Sequence, residues 1–401
     1  MNILRVIETM NPATGGPCQG IRNMIPELAN LGCRNEVVCL DDPDAVFLGE
    51  DPFPIHALGK GITAAGFHSA LLPWLRKNLP RFDAVILHGL WKWCGLAVWI
   101  ACREDSTHRP AVPYFVMPHG MLDPWFQKAP ERRMKALRNR IYWRLFESRV
   151  IRDAAAILFT CEGELESARR TFGGYMPRRE INVGYGIPEP PPFCEQMMGT
   201  FLSQCLGCGD DPYLLFLGRI HPKKGLDLLI RAYSRHLAVH RDHISQPPLP
   251  RLVIAGPGLG TPFGRKIEQL VQTSCPPGSI HFTGMLEGEA KSAAIHGCEA
   301  FILPSHQENF GIAVVEALAC SKPVLISNQV NIHSRISEAG AGLVAGDDLA
   351  GVEDLLAGWL ALGAKERGTM GAAASDLFKR EFSSPQAAVR MITTITSLLA
   401  P

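Results

Sequence analysis

The chain has 401 residues, of which 46% are hydrophobic and 20% charged, and its net charge is +1. That length exceeds one ordinary core and suits two domains, and the composition excludes a disordered chain. The balanced charge excludes a global pull toward nucleic acid or anionic membrane, and no apolar run approaches the roughly 20 residues that span a bilayer. The amino terminus, Met1-Asn2-Ile3-Leu4, reads as a strand beginning at once rather than a secretory leader. The 12 cysteines are scattered, several in apolar runs. Such a pattern suits buried reduced thiols in a cytoplasmic protein.

Short apolar runs alternate with helical patterns along the whole chain, which predicts α/β architecture with parallel sheets. Strands are predicted over 3–7, 37–40, 84–87, 114–117, 156–159 and 181–183 in the first half. In the second half they fall over 213–217, 252–255, 280–282, 300–303 and 324–326. Pro188-Glu189-Pro190-Pro191-Pro192 lies between the two sets, and its stiffness suits an interdomain connection. The expected layout is an amino-terminal domain over 1–187, a linker over 188–211 and a carboxyl-terminal domain over 212–383. Two Rossmann-like, doubly wound domains facing across a cleft would bind ligands at the carboxyl ends of their strands.

In chain order, the first candidate is Thr14-Gly15-Gly16-Pro17, which precedes a helical pattern of Ile21, Met24, Ile25, Leu28 and Leu31. Glycines before a helix can bring backbone N–H groups close to a phosphate or an acceptor. Asp42-Pro43-Asp44 has the spacing of a metal-binding carboxylate pair but reads as a solvated turn. His88-Gly89 and His119-Gly120 each end a strand, and His119 is the stronger candidate.

Lys128, Arg132, Arg133, Lys135, Arg138, Arg140, Arg144, Arg149 and Arg152 form a basic stretch opposed only by Glu131 and Glu147. Met134, Leu137, Ile141, Tyr142, Leu145 and Phe146 interleave it at helical spacing. The plainer reading is an ordinary helix with a basic outer face and an apolar core face. The alternative is a peripheral contact of 128–152 with the cytoplasmic membrane face, with Trp125, Phe126 and Trp143 at the interface. No nucleic-acid module accompanies the charge, so nucleic acid is not an expected partner.

In the second half, the strand ending at Gly218 runs into Arg219-Ile220-His221-Pro222-Lys223-Lys224. Cations there could stabilise charge developing on a leaving diphosphate. Cys205 and Cys208 lack a second pair for zinc, and Gly256-Pro257-Gly258-Leu259-Gly260 lacks the strand context and third glycine of a dinucleotide fingerprint. The strand over 300–303 leads to Glu308-Asn309-Phe310-Gly311-Ile312 and then a helical pattern containing Glu316. A helix starting near Gly311 would leave Glu308 in the loop and put Glu316 one to two turns in, with amides at its start suited to a phosphate. Apolar neighbours Val314, Val315, Ala317 and Leu318 argue that Glu316 faces a cleft.

Together these motifs resemble the retaining glycosyltransferases of the GT-B fold in family 4, over nearly the whole chain. The likeness rests on Gly15-Gly16, Pro118-His119-Gly120, Gly218-Arg219 with Lys224, Ala255-Gly256-Pro257-Gly258, His281-Phe282-Thr283-Gly284, and Glu308 to Glu316. It implies a metal-independent transferase with no cofactor, a nucleotide-diphosphate sugar as donor, and a glycan, lipid-linked or other hydroxyl acceptor. It also implies retention of anomeric configuration and a setting in surface-polysaccharide biosynthesis.

By the same resemblance, Glu308 would hold donor-sugar hydroxyls, Glu316 the ribose, and Arg219 with Lys224 the diphosphate. Amides of Asn309, Phe310, Gly311 and Ile312 would take its sugar-side phosphate, Met285-Leu286 the base, and Gly16 and His119 the transfer point. A final helix over 384–400 would pack back on the first domain. The pattern departs at Tyr185-Gly186-Ile187-Pro188, where the family commonly has an Asn-Gly turn. A nucleotide-sugar epimerase of the same fold is the alternative. It would need further acid/base residues at the sugar.

Overall fold

A computed structural model describes residues 1–103, 112–129, 132–205, 207–209, 211–241 and 249–399. Glu131 of the basic stretch, positions 206 and 210 of the expected linker and position 400 of the expected final helix lie outside the described residues. The chain divides into two compact units, Met1–Pro188 with Phe382–Pro401, and Glu189–Glu381.

The first unit is built on β1 (Asn2–Val6), β2 (Arg34–Cys39), β3 (Ile55–Ala57), β4 (Ala84–His88), β5 (Tyr114–Met117), β6 (Ala156–Phe159) and β7 (Glu180–Asn182). All pair in parallel, in the order β3-β2-β1-β4-β5-β6-β7, with Ile3 opposite both Asn35 and Ala84. Alternate residues of the central strands feed different cores, as a sheet covered on both faces requires. Leu4, Val6, Val85 and Leu87 pack with Leu71, Leu75, Cys94 and Val98. Ile3, Ala84 and Ile86 pack with Met24 and Leu28 of the helix Gly16–Asn30, and with Ala387, Met391 and Ile395 of the helix Ser384–Leu399.

The second unit carries β8 (Tyr213–Leu217), β9 (Arg251–Ala255), β10 (Ile280–Gly284), β11 (Ala300–Leu303), β12 (Val324–Ser327) and β13 (Gly342–Ala345). These are also parallel, in the order β10-β9-β8-β11-β12-β13. The strand order reverses between β1 and β4 in the first sheet and between β8 and β11 in the second, and such reversals open crevices at the carboxyl ends. Residues 195–204 form a helix whose Phe201 is buried against Tyr213, ring centroids 5.7 Å apart. Among the described residues no helix is long and apolar enough to cross a membrane.

Two strands escape the sequence reading, β3 and β13. Both are short edge strands with half-buried residues, so neither shows a continuous apolar run. The basic stretch requires a larger correction. Its helix Arg133–Tyr142 continues through a wide π-type turn, Trp143–Glu147, into a helix Ser148–Asp153. The face turned to the core is Ala136, Asn139, Trp143, Glu147 and Val150, while Met134, Leu137, Ile141 and Leu145 are exposed. Trp143 is therefore no interfacial anchor. Residues three and four apart share a face, but that spacing does not say which side the face is on.

Candidate active site

The loops after β8 and β11 are locked together at the reversal point of the second sheet. Gly225 has φ 65°, and a Cβ there would lie 2.0 Å from the Pro304 carbonyl oxygen, so only glycine permits the approach. His306 donates its N–H to the Lys223 carbonyl at 2.8 Å. On this frame the Lys224 ammonium pairs with the Glu308 carboxylate, both half-buried. Glu308 is itself pinned to the loop after β12: its N–H donates to the Gln329 carbonyl and its carbonyl accepts from Asn331, each at 3.0 Å.

Gly311 adopts φ 78°, ψ 61° at the start of the helix Ile312–Ala319. Val315 donates back to the Gly311 carbonyl at 3.0 Å. The N–H groups of Ile312, Ala313 and Val314 thus precede the intrahelical ladder and lie at the positive end of the helix dipole. Glu316, in the second turn, accepts from Lys291 Nζ at 2.6 Å, while its other carboxylate oxygen is buried with no protein partner among the described residues. A buried carboxylate oxygen in that state is poised to accept from a ligand hydroxyl. Lys291 comes from the helix Gly288–Gly297, which follows β10 by way of Met285 and Leu286. Leu286 is buried and Met285 exposed. Arg219 is exposed at the end of β8 and forms no ion pair among the described residues.

In the first unit Gly16 opens its helix after Gly15, whose φ of 97° disfavours any side chain. Tyr185 crosses that helix at Gly20 and donates its hydroxyl to the Gly16 carbonyl at 2.5 Å. The residue that departs from the Asn-Gly pattern therefore fixes the glycine loop.

His119 sits at the end of β5 with φ 52°, a left-handed conformation unusual outside glycine. Glu164 holds that turn, accepting from the N–H of Gly120 at 2.5 Å and of Thr160 at 2.8 Å. Behind His119 runs a buried chain. Arg5, buried in mid-strand, meets His88 Nε2 at 3.2 Å, and His88 Nδ1 meets His119 Nε2 at 3.0 Å. Arginine only donates, so His88 Nε2 accepts. A neutral His88 then carries its proton on Nδ1 and gives that hydrogen bond to His119 Nε2, which leaves the His119 proton on Nδ1. Burial, with Arg5 adding to it, pushes the His119 pKa down to about 4. Burial likewise holds His88 well below the usual histidine range, with His119 and Arg5 contributing. Both rings are neutral at pH 7, as the chain requires.

Sequence reasoning missed Lys291, Glu164 and Arg5. A signal existed for Lys291, one turn into a helix that starts at a strand's carboxyl end. Arg5 had none, because one arginine inside an apolar strand reads as its solvent edge. Asp42, set aside as a metal ligand, accepts from the Asp44 N–H at 3.2 Å in an exposed turn.

A model of glycosyl transferases group 1 matches residues 206–374, and a glycosyl transferase 4-like domain matches 15–185. The chain belongs to the group 1, family 4-like glycosyltransferases. Its relatives include a D-inositol 3-phosphate glycosyltransferase of Xylanimonas cellulosilytica, 28% identical over 61% of this chain and 58% of that protein. Another, from Geodermatophilus obscurus, is 32% identical over 38% of this chain and 34% of its own length. The matched part thus spans less than two-thirds of these curated relatives. Among solved structures, Anabaena Alr3699/HepE in complex with UDP and glucose superposes with a TM-score of 0.73 at 16% identity, covering 99% of this chain and 100% of that one. Sucrose-phosphate synthase from Thermosynechococcus elongatus gives 0.73 at 18% identity, over 99% and 98% of the two chains. These likenesses give this glycosyltransferase family member the GT-B fold.

Proposed function

We propose that the protein transfers a sugar from a nucleotide-diphosphate sugar to a hydroxyl acceptor, a glycan or a lipid-linked molecule, with retention of anomeric configuration. One observation carries this reading: at one end of the second sheet two Lys–Glu pairs flank a helix start, and a Glu316 oxygen there has no protein partner among the described residues. The arrangement matches a ligand that is anionic at one point and rich in hydroxyls on either side.

In this reading Glu308 holds donor-sugar hydroxyls and Glu316 the ribose hydroxyls. Arg219 and Lys224 take the diphosphate, the amides of residues 309–312 its sugar-side phosphate, and the backbone at Met285-Leu286 the base. Gly16 and His119 act at the transfer point, His119 offering a neutral Nδ1–H donor. The acceptor oxygen attacks the anomeric carbon on the face from which the diphosphate departs. The bond from that carbon to the phosphate oxygen breaks, a bond to the acceptor oxygen forms, and the acceptor proton passes to the leaving phosphate. Positive charge at that phosphate comes from side chains and a helix dipole, so the step calls for no metal or cofactor. Anabaena Alr3699/HepE is described with UDP and glucose, which favours a nucleotide-sugar donor here. Surface-polysaccharide assembly, and peripheral contact of 128–152 with the cytoplasmic membrane face, complete the reading.

The test is incubation of purified protein with a panel of nucleotide sugars, with and without hydroxyl acceptors and with a chelator as control. The expected result is nucleoside diphosphate released in step with glycosylated product, its anomeric configuration matching the donor's by NMR. Donor interconversion without released nucleotide would overturn the reading in favour of an epimerase.

A further inference from the structure

The helix Arg133–Tyr142 and the wide turn after it hold their core side with Ala136, Asn139 and Trp143. The opposite side is open. Met134 is 79% exposed, Leu137 53%, Ile141 54% and Leu145 49%. Spaced three or four residues apart, these four make one continuous aliphatic ridge. Arg133, Lys135, Arg138, Arg140, Arg144 and Arg149, all exposed, flank it. None of those six forms an ion pair among the described residues.

Beside the ridge is a pocket of about 480 Å3. Arg140, Arg144 and Ser148, successive turns of the same segment, form one wall. The other is Thr171, Phe172 and the backbone of Gly173-Gly174, which carries no side chain to fill the space. Trp143 floors it, stacked on Phe172 at 4.7 Å with its Nε1 donating to the Gly173 carbonyl at 3.0 Å.

We propose that this face docks the protein on an anionic phospholipid bilayer, with the ridge entering the headgroup–acyl boundary and a lipid phosphate seated between Arg140 and Arg144. The occupant follows from the pattern. A ridge of aliphatic side chains flanked by cations matches the boundary between acyl chains and anionic headgroups, the arrangement of helices that lie in an interface plane. A polyanion alone would use the arginines and leave four large aliphatic residues wet. The inference refines the peripheral contact in the functional reading and is independent of the transfer chemistry, since none of these residues belongs to the candidate active site.

Sedimentation of the purified chain with vesicles of phosphatidylcholine alone, or mixed with phosphatidylglycerol, tests it. Binding to the anionic vesicles alone, weakening with salt, is expected. Arg140→Gln with Arg144→Gln should weaken it about thirtyfold, each near-surface cation counting about fivefold. Leu137→Ser with Ile141→Ser and Leu145→Ser should weaken it at least about tenfold while leaving every charge in place. All five sites are exposed, so unchanged thermal unfolding accompanies both variants. Equal binding of the wild-type protein to both vesicle types would overturn the proposal, as would unaltered binding of the serine variant or displacement by inorganic phosphate as complete as by excess vesicles. Nucleotide release with a soluble acceptor, measured on the same variants without vesicles, should be unchanged. An inactive wild-type protein that still bound anionic vesicles would sink the transferase reading and leave this one standing.

Discussion

At the carboxyl ends of β8, β10 and β11, ionisable groups are half-buried and paired with opposite charge, Lys224 with Glu308 and Lys291 with Glu316. At the ends of β4 and β5 the chain runs from buried to half-buried: Arg5 and His88 are withdrawn from water, His119 is half-buried, and the arginine faces two neutral imidazoles in series. The same architecture thus serves two electrostatic tasks. The first cluster keeps full charges near solvent, where an anionic ligand can exchange one partner for another at modest cost. The second sets aside charge and fixes which nitrogen of His119 carries a proton. Burial alone would make His119 neutral; the Arg5–His88 chain gives it a direction.

The widest gap between the two clusters should appear on Glu308→Ala, which leaves Lys224 unpaired and, on the proposed function, removes a sugar contact. A loss of roughly a thousandfold in kcat is expected, with unchanged circular dichroism; near-normal turnover would remove Glu308 from the chemistry. Next come Arg219→Ala and Lys224→Ala, each expected to cost roughly a hundredfold, while the double variant falls well short of the product because both act on one developing charge. Simple multiplicativity in kcat/KM would break the shared site.

For the histidine chain the sign can be worked out. A folded His119 pKa of about 4 against an ordinary 6.5 means the unfolded chain binds more protons between those values. This contribution to stability, about 3 kcal/mol, is full above pH 6.5 and lost as the pH falls toward 4. Arg5→Met removes the cation, so the His119 pKa should rise and the acid limb of turnover should move to higher pH. An unmoved limb, or a His119 tautomer by 15N NMR identical to wild type, would break the chain. The smallest effect is Tyr185→Phe, which deletes the hydrogen bond to the Gly16 carbonyl. It should cost about 1 kcal/mol in unfolding free energy and raise KM modestly.

Much of the fold was legible in the sequence because buried parallel strands are continuous apolar runs, Ala84-Val85-Ile86-Leu87 being the plainest. The short edge strands β3 and β13 were not, since half-buried residues carry no such signature. In the candidate site, Gly218 and the helix start at Gly311 could be read from local chemistry, and they fall where the second sheet's order reverses. Partnerships between distant segments could not. Nothing near Glu316 announces Lys291, and nothing near His119 announces Arg5. The exposed ridge of Leu137, Ile141 and Leu145 shows the same limit from the other side: helical spacing groups residues on a face, but only the packing of the whole unit tells which face is outward.

The helix Ser384–Leu399 has a consequence for how the chain is made. Ala387, Met391 and Ile395 close a core whose other members include Ile3, Met24 and Leu28. During synthesis those early residues must wait for almost the entire chain to emerge from the ribosome before their core can be completed. The second unit, continuous over Glu189–Glu381, can finish folding first. For this one core, though not for the one built on Leu4, Val6, Val85 and Leu87, the last packing residues are made after the whole of the second unit. A nascent chain stalled a few residues short of Met391 should bind a chaperone through its oldest segment, not its newest.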